Sequence, residues 1–451
     1  ALQSLRPEQA VIAIVPDECD LAVILHCNDF SDEISSHRLW FASGPDWEAA
    51  LHGLLESEPG LATPTNFIRL PHSDTDSIDR MISTAQRVFA RISAARSSQI
   101  QSIRQSPRGD GESRICVVAP SRFRLWSDIG DQMLGVFQGS EQIKALHFDA
   151  DDPACSSPLA LAMAAGECAA MFTANTGRSD LPGIAPEMMP WITWVTGGRI
   201  PSSALAGIDD HLIVVDPTLR DAAVAGGWHE KRVHLGGWSG SGAHGKAVGI
   251  QEEKHLSVLL DTVSVETPKE LIEYSSHSVL WEAVRQELGQ NPFVLEDVNA
   301  YLNVRMRQLG VGEESFPRMR FIEKLVLPAY QQGLVRSLIA ARLPVKLYGR
   351  GWDALDEFGS FACGPIRSRQ EFDDAISASS VLIHAWPTKL AHPIDACDMP
   401  VVRAAGCRNI LEFVKQATLN LGAKIPAPQK SDVPPLSIET ILMILRACSV
   451  R

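Results

Sequence analysis

The residues best suited to chemistry begin in a turn that follows a short apolar run. Residues 343–347 have the composition of a buried strand, and the chain continues with Gly349, Arg350 and Gly351 between a tyrosine and a tryptophan. Glycine lets a backbone approach a ligand closely, and an arginine between two glycines can pair with a phosphate. This pattern predicts an anion-binding turn. The alternative is a plain strand-end turn with a solvated arginine.

A second group of polar and aromatic residues follows the apolar run at 379–383. Its members are His384, Trp386, Thr388, Lys389, His392 and Asp395. Trp386 can stack on a nucleobase, Thr388 or Lys389 can hold a phosphate, and a helix beginning after His392 would favour an anion at its amides. The alternative is that Trp386 and His392 only pack at a domain seam.

Apolar runs alternate with helical patterns from residue 114 onward, which predicts an α/β fold with doubly wound parallel sheets. One Rossmann-like domain is expected at 114–240 and a second at 250–430, joined by a glycine-rich hinge. Ligands of such sheets bind at the carboxyl ends of the strands. The two groups of residues described above both follow strands, and we therefore expect them to meet at one edge.

The remaining segments are expected to be accessory. Residues 1–105 form an extra α/β region that begins with strands at 11–15 and 21–25, and the Ser- and Arg-rich residues 97–113 form a linker. Residues 267–340 are expected to insert several helices into the second domain. Residues 436–451 are expected to contain an amphipathic terminal helix.

The composition argues against several classes of protein. A chain of 451 residues with a net charge of −13 does not favour binding to nucleic acid or an anionic membrane. Its nine scattered cysteines have no zinc-type spacing, and no segment has the apolar length of a membrane span. With no signal-peptide pattern at its start, the chain is expected to be cytoplasmic.

The YGRGW turn, the His- and Trp-containing loop and a closing Ala-Ala-Gly at 404–406 resemble the CgeB-like bacterial glycosyltransferases, which have two facing Rossmann-like domains (the GT-B fold). The resemblance implies a nucleotide-sugar donor bound by the C-terminal domain, an acceptor bound by the N-terminal domain, and no further cofactor. Asp395 would hold the ribose. The chain departs from the wider pattern because two glutamates about eight residues apart are missing. The acceptor and the oligomeric state stay open.

The positions of the acidic residues in the second half predict that the transfer reaction needs no metal ion. A metal that offsets diphosphate charge is commonly held by an Asp-x-Asp motif after a strand, and the donor half contains none. The acidic pair Asp151-Asp152 lies in the other half. We therefore assign no metal ligands.

A general base is harder to place. The candidates are Asp128, in the first turn of a helix after a Ser-Arg-Phe turn, and His244, in the glycine-rich hinge. The strand at 190–194 resembles a family strand that is often followed by an acid, but here Thr196-Gly-Gly-Arg199 follows. The alternative for Asp128 is the commoner role of an aspartate in the first turn of a helix, which is to stabilise the helix dipole.

Two other functions remain open. The missing acids are compatible with a catalytically silent relative that binds a nucleotide or a sugar. Gly240 to Gly245 matches the letters of G-x-G-x-x-G, which raises an NAD(P)-dependent oxidoreductase as an alternative. About ten residues separate this motif from the next strand, too few for the usual crossover helix, and a hinge explains the glycines better.

Overall fold

The computed structural model describes residues 9–68, 75–105, 114–120, 129–197, 199–238, 254–266, 274–312, 316–388, 390, 392–397, 399–422 and 433–449, apart from the side chains of 395, 396, 422 and 449. Contacts divide the chain into two compact units. The first unit comprises Ala1–Arg122, Ile129–Gly236 and Leu436–Arg451, and the second unit comprises Phe123–Asp128 and Gly237–Pro435.

The first unit is built on a six-stranded parallel sheet of order β4-β3-β5-β6-β7-β8. These strands are β3 (Arg114–Ala119), β4 (Lys144–Asp149), β5 (Ala170–Ala174), β6 (Trp191–Val195), β7 (Asp210–Val214) and β8 (Val233–Leu235). Helices α5 (Ile129–Gly135), α6 (Pro158–Gly166) and α7 (Pro217–Ala225) connect them, and α14 (Ile438–Ser449) returns to this unit. Strands β5, β6 and β7 are buried along nearly their whole length, as expected for a sheet covered on both faces.

An N-terminal lobe of the first unit has its own small sheet and core. Strands β1 (Val11–Val15) and β2 (Leu39–Ser43) pair in parallel beside α1 (Glu18–Cys27), α2 (Ser31–Ser35), α3 (Trp47–Ser57) and α4 (Thr75–Gln105). The strand predicted at 21–25 is wrong, because those residues lie within α1. The Asp17 carboxylate caps this helix by accepting a hydrogen bond from the Cys19 amide, and Glu18 and Asp20 follow in its first turn.

The linker predicted at 97–113 is also wrong for residues 97–105, which form the last turns of α4. The serine-rich composition indicated a linker, but Ser97 and Ser98 donate hydrogen bonds back to the carbonyls of Ser93 and Ala94 within the helix. Arg96 also anchors the helix. Its buried guanidinium donates to the carbonyl of Leu55, near the end of α3, and to the carbonyls of Glu58 and Leu61, which follow α3. Residues 106–113 lie outside the described part.

The second unit is built on a five-stranded parallel sheet of order β11-β10-β9-β12-β13. These strands are β9 (Leu256–Leu259), β10 (Val345–Tyr348), β11 (Ala362–Gly364), β12 (Val381–His384) and β13 (Val401–Arg403). Because β10 and β11 extend the sheet to one side of β9 and β12 and β13 to the other, the order is that of a doubly wound sheet. The predicted α/β fold with parallel sheets is thus confirmed.

Helices cover this second sheet and supply most of its core. Between β9 and β10 lie α8 (Ser275–Gln290), α9 (Val298–Leu309), α10 (Arg318–Phe321) and α11 (Leu327–Ala340), the last two joined by a π-helical segment, Ile322–Val326. Helices α12 (Arg369–Ala378) and α13 (Ile410–Gly422) follow β11 and β13. The Asp297 carboxylate caps α9 at its start, and Gly310 ends it with a left-handed φ of 67°.

None of the helices in the described part of the chain has both the length and the apolar character required to cross a bilayer.

Candidate functional site

The strand order of the second unit marks where a ligand would bind. Connections leave β9 toward one side of the sheet and β12 lies on its other side, so the topological switch point falls between β9 and β12. In doubly wound sheets, ligands bind outside the carboxyl ends of the strands at this point. The residues that follow β9, β10, β12 and β13 are therefore the candidates for ligand contact.

An acidic and a basic side chain pair at the ends of β9 and β10. Asp261 accepts hydrogen bonds from the amide of Arg350 at 2.8 Å, from its Nε at 2.9 Å and from its Nη2 at 2.7 Å. The Arg350 side chain is 79% exposed and that of Asp261 is 39% exposed. The carboxylate thus fixes the direction of a guanidinium that is open to solvent at the carboxyl edge.

The glycines beside Arg350 serve a close backbone contact. Gly349 has φ 126° and Gly351 has φ 90°, and a Cβ on either would lie 2.1 Å from a carbonyl oxygen, that of Leu260 or of Thr262. The Thr262 amide also donates to the Arg350 carbonyl at 2.8 Å. The glycines were predicted to admit a ligand, but in the structure it is a neighbouring backbone segment that lies against them.

Two buried side chains hold this edge in place. The indole nitrogen of Trp352 donates to the Leu260 carbonyl at 2.8 Å, and Trp352 is fully buried. The amide of Gln332, on α11, donates to Thr262 Oγ1 at 3.1 Å and to the Val263 carbonyl at 2.8 Å. Because these contacts satisfy buried polar atoms, the segment that positions Asp261 is fixed by the core beneath it.

Three aromatic rings meet at the end of β12, on the other side of the switch point. The His384 and His392 ring centroids are 4.6 Å apart and those of Trp386 and His392 are 4.5 Å apart. The His384 and Trp386 rings complete the group at 5.4 Å. The sequence placed these residues in one loop, and the structure brings them into contact as one aromatic cluster.

His384 is the fully buried member of the aromatic cluster, and burial keeps its imidazole ring neutral. It is completely buried, and neither of its ring nitrogens has a hydrogen-bond partner among the described residues. Burial, followed by the nearby His392 and Arg403, lowers the pKa of His384 to about 2. Since no solvent reaches the ring, His384 influences a ligand only through the neighbouring rings.

His392 and Thr388 shape their own loop. The Nδ1 atom of His392 accepts a hydrogen bond from the Ile394 amide at 3.2 Å, which starts a short 3₁₀ helix, and Thr388 Oγ1 accepts from the Leu390 amide at 3.1 Å. Burial and then Arg403 lower the pKa of His392 to about 3. With Nδ1 acting as an acceptor, the neutral ring carries its proton on Nε2.

Arg403 is a site residue that the sequence analysis missed. It ends β13 directly opposite His384 in the parallel ladder and acts electrostatically on both histidines. Asp261 was missed as a partner of Arg350. Both follow apolar runs, at 256–260 and 401–402, and a charged residue at the end of a predicted parallel strand was the signal available in the sequence.

The carboxyl edge of the first unit has its own polar contacts. Asn175, at a left-handed φ of 53° after β5, donates to Thr196 Oγ1 at 2.7 Å and accepts from the Thr196 amide at 2.9 Å. Asp180 pairs with Arg199 at 2.8 Å. Asp180 also accepts a hydrogen bond from the Gly177 amide at 2.8 Å, so this acid is held by contacts within its own segment and with Arg199.

Several predicted site residues fall outside the described part of the chain. Asp128, His244 and Lys389 lie outside the described residues, as does the side chain of Asp395, whose backbone belongs to the 3₁₀ helix after His392. The glycines of the hinge, Gly240 to Gly245, lie outside them as well. Within the described residues, no group of three or more His, Cys, Asp or Glu side chains is arranged to hold a metal ion.

Comparisons with known proteins found no relatives: no family model, no curated protein and no solved structure matches this chain.

Proposed function

We propose that this protein is a glycosyltransferase that moves a sugar from a nucleotide-diphosphate donor to an acceptor. The second unit would bind the donor and the first unit the acceptor, as in GT-B enzymes and as the resemblance to the CgeB-like group implies. The observation that carries the proposal is the aromatic cluster of His384, Trp386 and His392 beside the switch point of the second sheet.

The side chains at this edge suit the two parts of a nucleoside diphosphate. Trp386 is half-buried in the aromatic cluster and offers a flat surface to a nucleobase. Arg350 and Arg403 supply guanidinium groups, whose planar forks match phosphate oxygens. In this proposal Lys389 adds a contact to the diphosphate and Asp395 contacts the ribose. The amides after His392, predicted to favour an anion, are not assigned to it, because residue 393 is a proline and the Ile394 amide donates to His392 Nδ1.

The catalytic base is proposed from the sequence. Transfer to a hydroxyl requires a base within hydrogen-bonding reach of the acceptor. Asp128 and His244 remain the proposed bases, and the proposed reaction requires no metal. We place the acceptor at the carboxyl edge of the first unit, where Asn175 and Asp180 lie after β5.

A catalytically silent binding protein is the second candidate. The observation that favours it is the pairing of Asp261 with Arg350. Asp261 is the acid that follows β9, and this structural contact with Arg350 occupies it. An oxidoreductase that binds NAD(P) is disfavoured, because neither β9 nor β3 is directly followed by a glycine-rich turn: residues 260–266 contain no glycine, nor do residues 120–129.

Thermal unfolding in the presence of candidate ligands tests the proposal. UDP-, GDP- and dTDP-sugars are compared with NAD, each at the same concentration. A ligand at 100 times its dissociation constant adds about 2.7 kcal/mol to the free energy of unfolding. We expect one nucleotide sugar to raise the melting temperature while NAD does not. Stabilisation by NAD alone would reject the proposal. If the chain also releases the nucleoside diphosphate from the donor that stabilises it, the chain is an enzyme; a catalytically silent protein would bind the donor without releasing it.

A further inference from the structure

Three side chains with reactive groups meet where α14 packs on the sheet of the first unit. The Cys448 Sγ atom, near the end of α14, lies 3.7 Å from Nε2 of His211 on β7. The other ring nitrogen of His211, Nδ1, lies 3.2 Å from Nε2 of His234 on β8. A thiol and two imidazoles are thus joined by hydrogen bonds into one thiol–histidine network.

The strand register brings the two histidines to the same face of the sheet. β7 and β8 are parallel neighbours with Ile213 opposite His234, and His211 lies two positions before Ile213. Because side chains alternate along a strand, these three side chains project from one face. The two imidazole rings stack with centroids 5.4 Å apart, and His211 is 8% exposed and Cys448 7% exposed. The network therefore lies within the strands and not in the loops that follow them.

The order of the three groups is that of a nucleophile, a base and a residue that orients the base. Burial, and then Arg220, lower the pKa of His234, which keeps its ring neutral. Arg220 itself pairs with Glu230 at 2.9 Å. When His211 carries its proton on Nδ1, it donates that proton to the neutral His234, and its Nε2 accepts the proton of the Cys448 thiol. The hydrogen bonds then direct the basic nitrogen of His211 at the sulfur.

We propose that Cys448 is a reactive thiol that small hydroperoxides such as hydrogen peroxide oxidise, with His211 as its base and His234 as the residue that positions His211. Nε2 of His211 takes the thiol proton, and the sulfur attacks the hydroxyl oxygen of the hydroperoxide. The S–O bond forms as the O–O bond breaks, and the departing oxygen takes the proton from His211. The products are a sulfenic acid on Cys448 and one molecule of water or alcohol. This site is separate from the proposed donor site and does not depend on it.

Two features of the site decide how reactive the sulfur is. Cys448 lies at the end of α14, where the negative pole of the helix dipole disfavours a thiolate. The same pole favours a protonated His211 beside the thiolate, so the transfer of a proton between the two groups is little affected. The small exposed fraction of Cys448 limits the reactant to a molecule about the size of water, and hydrogen peroxide is such a molecule.

Oxidation of the full chain by hydrogen peroxide in the presence of dimedone, which traps sulfenic acids, tests the proposal. Peptide mass spectrometry gives the labelling rate at each cysteine. Because a general base contributes about 10²–10⁴-fold to a rate, His211→Gln should slow the labelling of Cys448 at least about tenfold at pH 7. The loss should shrink toward about pH 9.5, where hydroxide deprotonates a thiol without a base. His234→Leu should slow the labelling at least about threefold, because His211 loses the acceptor that orients its ring.

Two other cysteines of the same chain are the controls. Cys363 is exposed. Cys397 is 4% exposed and its thiol donates to the Pro393 carbonyl at 3.9 Å, so it matches Cys448 in burial but contacts a backbone oxygen. Neither histidine variant should change the labelling rate at Cys363 or Cys397.

Circular dichroism and thermal unfolding of each variant establish that it is folded. Equal labelling of Cys448 at pH 7 in the wild type and in folded His211→Gln would overturn the proposal. Labelling of Cys448 in the urea-unfolded chain but not in the native chain would also overturn it, because the buried sulfur would then be closed to peroxide. If His211→Gln does not fold, His234→Leu on the edge strand β8 decides, and an unchanged labelling rate in that variant overturns the proposal.

Discussion

Asp261 accepts three hydrogen bonds from Arg350, one from its amide and two from its guanidinium, across the ends of two neighbouring parallel strands. The contact fixes both the backbone of the turn and the direction of the side chain. If Arg350 holds the donor diphosphate, Asp261 is the residue that positions it. The pair is solvent-exposed and so contributes little to folding.

The first prediction concerns this pair. Arg350→Ala should weaken nucleotide-sugar binding about tenfold or more, because a charged contact to phosphate contributes about 1.5–3 kcal/mol. Asp261→Asn should weaken it by a smaller factor, since Arg350 loses its fixed direction. In calorimetric titrations the double variant should be no weaker than Arg350→Ala alone. Equal binding by the wild type and Arg350→Ala, with the fold intact, would remove the turn from the donor site.

The second prediction separates crowding from backbone strain at the glycines. Gly349→Ala should lower the free energy of unfolding by about 3 kcal/mol, because the methyl group would meet the Leu260 carbonyl at 2.1 Å and alanine disfavours a positive φ. Gly364→Ala is the control. It also has a positive φ, 93°, but with open space around it, and should cost only about 1 kcal/mol. Equal losses for the two variants in denaturant unfolding would show that the close contact with the Leu260 carbonyl does not matter.

The third prediction concerns pH and His384. Its pKa of about 2 lies below that of an unfolded histidine, about 6.5, so the unfolded state binds the proton more tightly. The stability associated with the neutral ring is therefore present above pH 6.5 and is lost as the pH falls. Between pH 7 and pH 5 the wild type should lose about 2 kcal/mol more than His384→Leu. Denaturant unfolding at the two pH values measures this difference, and an identical loss in both proteins would show that His384 is not buried in the neutral form.

Much of the fold could be read from the sequence. Alternating apolar runs and helical patterns gave the parallel sheets, since strands buried on both faces are continuously apolar, as at 191–195. The two wrong predictions, at residues 21–25 and 97–105, relied on amino-acid composition. Residues 21–25 are as apolar as a strand, but the capping Asp17 begins a helix there, and the serines at 97 and 98 bond back within α4.

The candidate site was only partly predictable. The sequence indicated that His384, Trp386 and His392 would follow a strand, but the contact among their rings depends on a loop that returns over the end of β12. Asp261 and Arg350 are 89 positions apart, so their pairing follows from β9 and β10 being neighbours in the sheet. Strand order of that kind is a property of tertiary packing, which a single sequence does not specify.

The most direct test of the central claim is hydrogen–deuterium exchange with and without the nucleotide sugar that stabilises the chain. Bound donor should slow exchange of the amides at 261–263, 349–352, 384–388 and 392–394, which the structure places at the carboxyl edge of the second sheet. Exchange of those at 174–197 in the first unit should stay unchanged. Protection confined to the first unit, or the same pattern produced by NAD and by no nucleotide sugar, would contradict the assignment of this edge as the donor site.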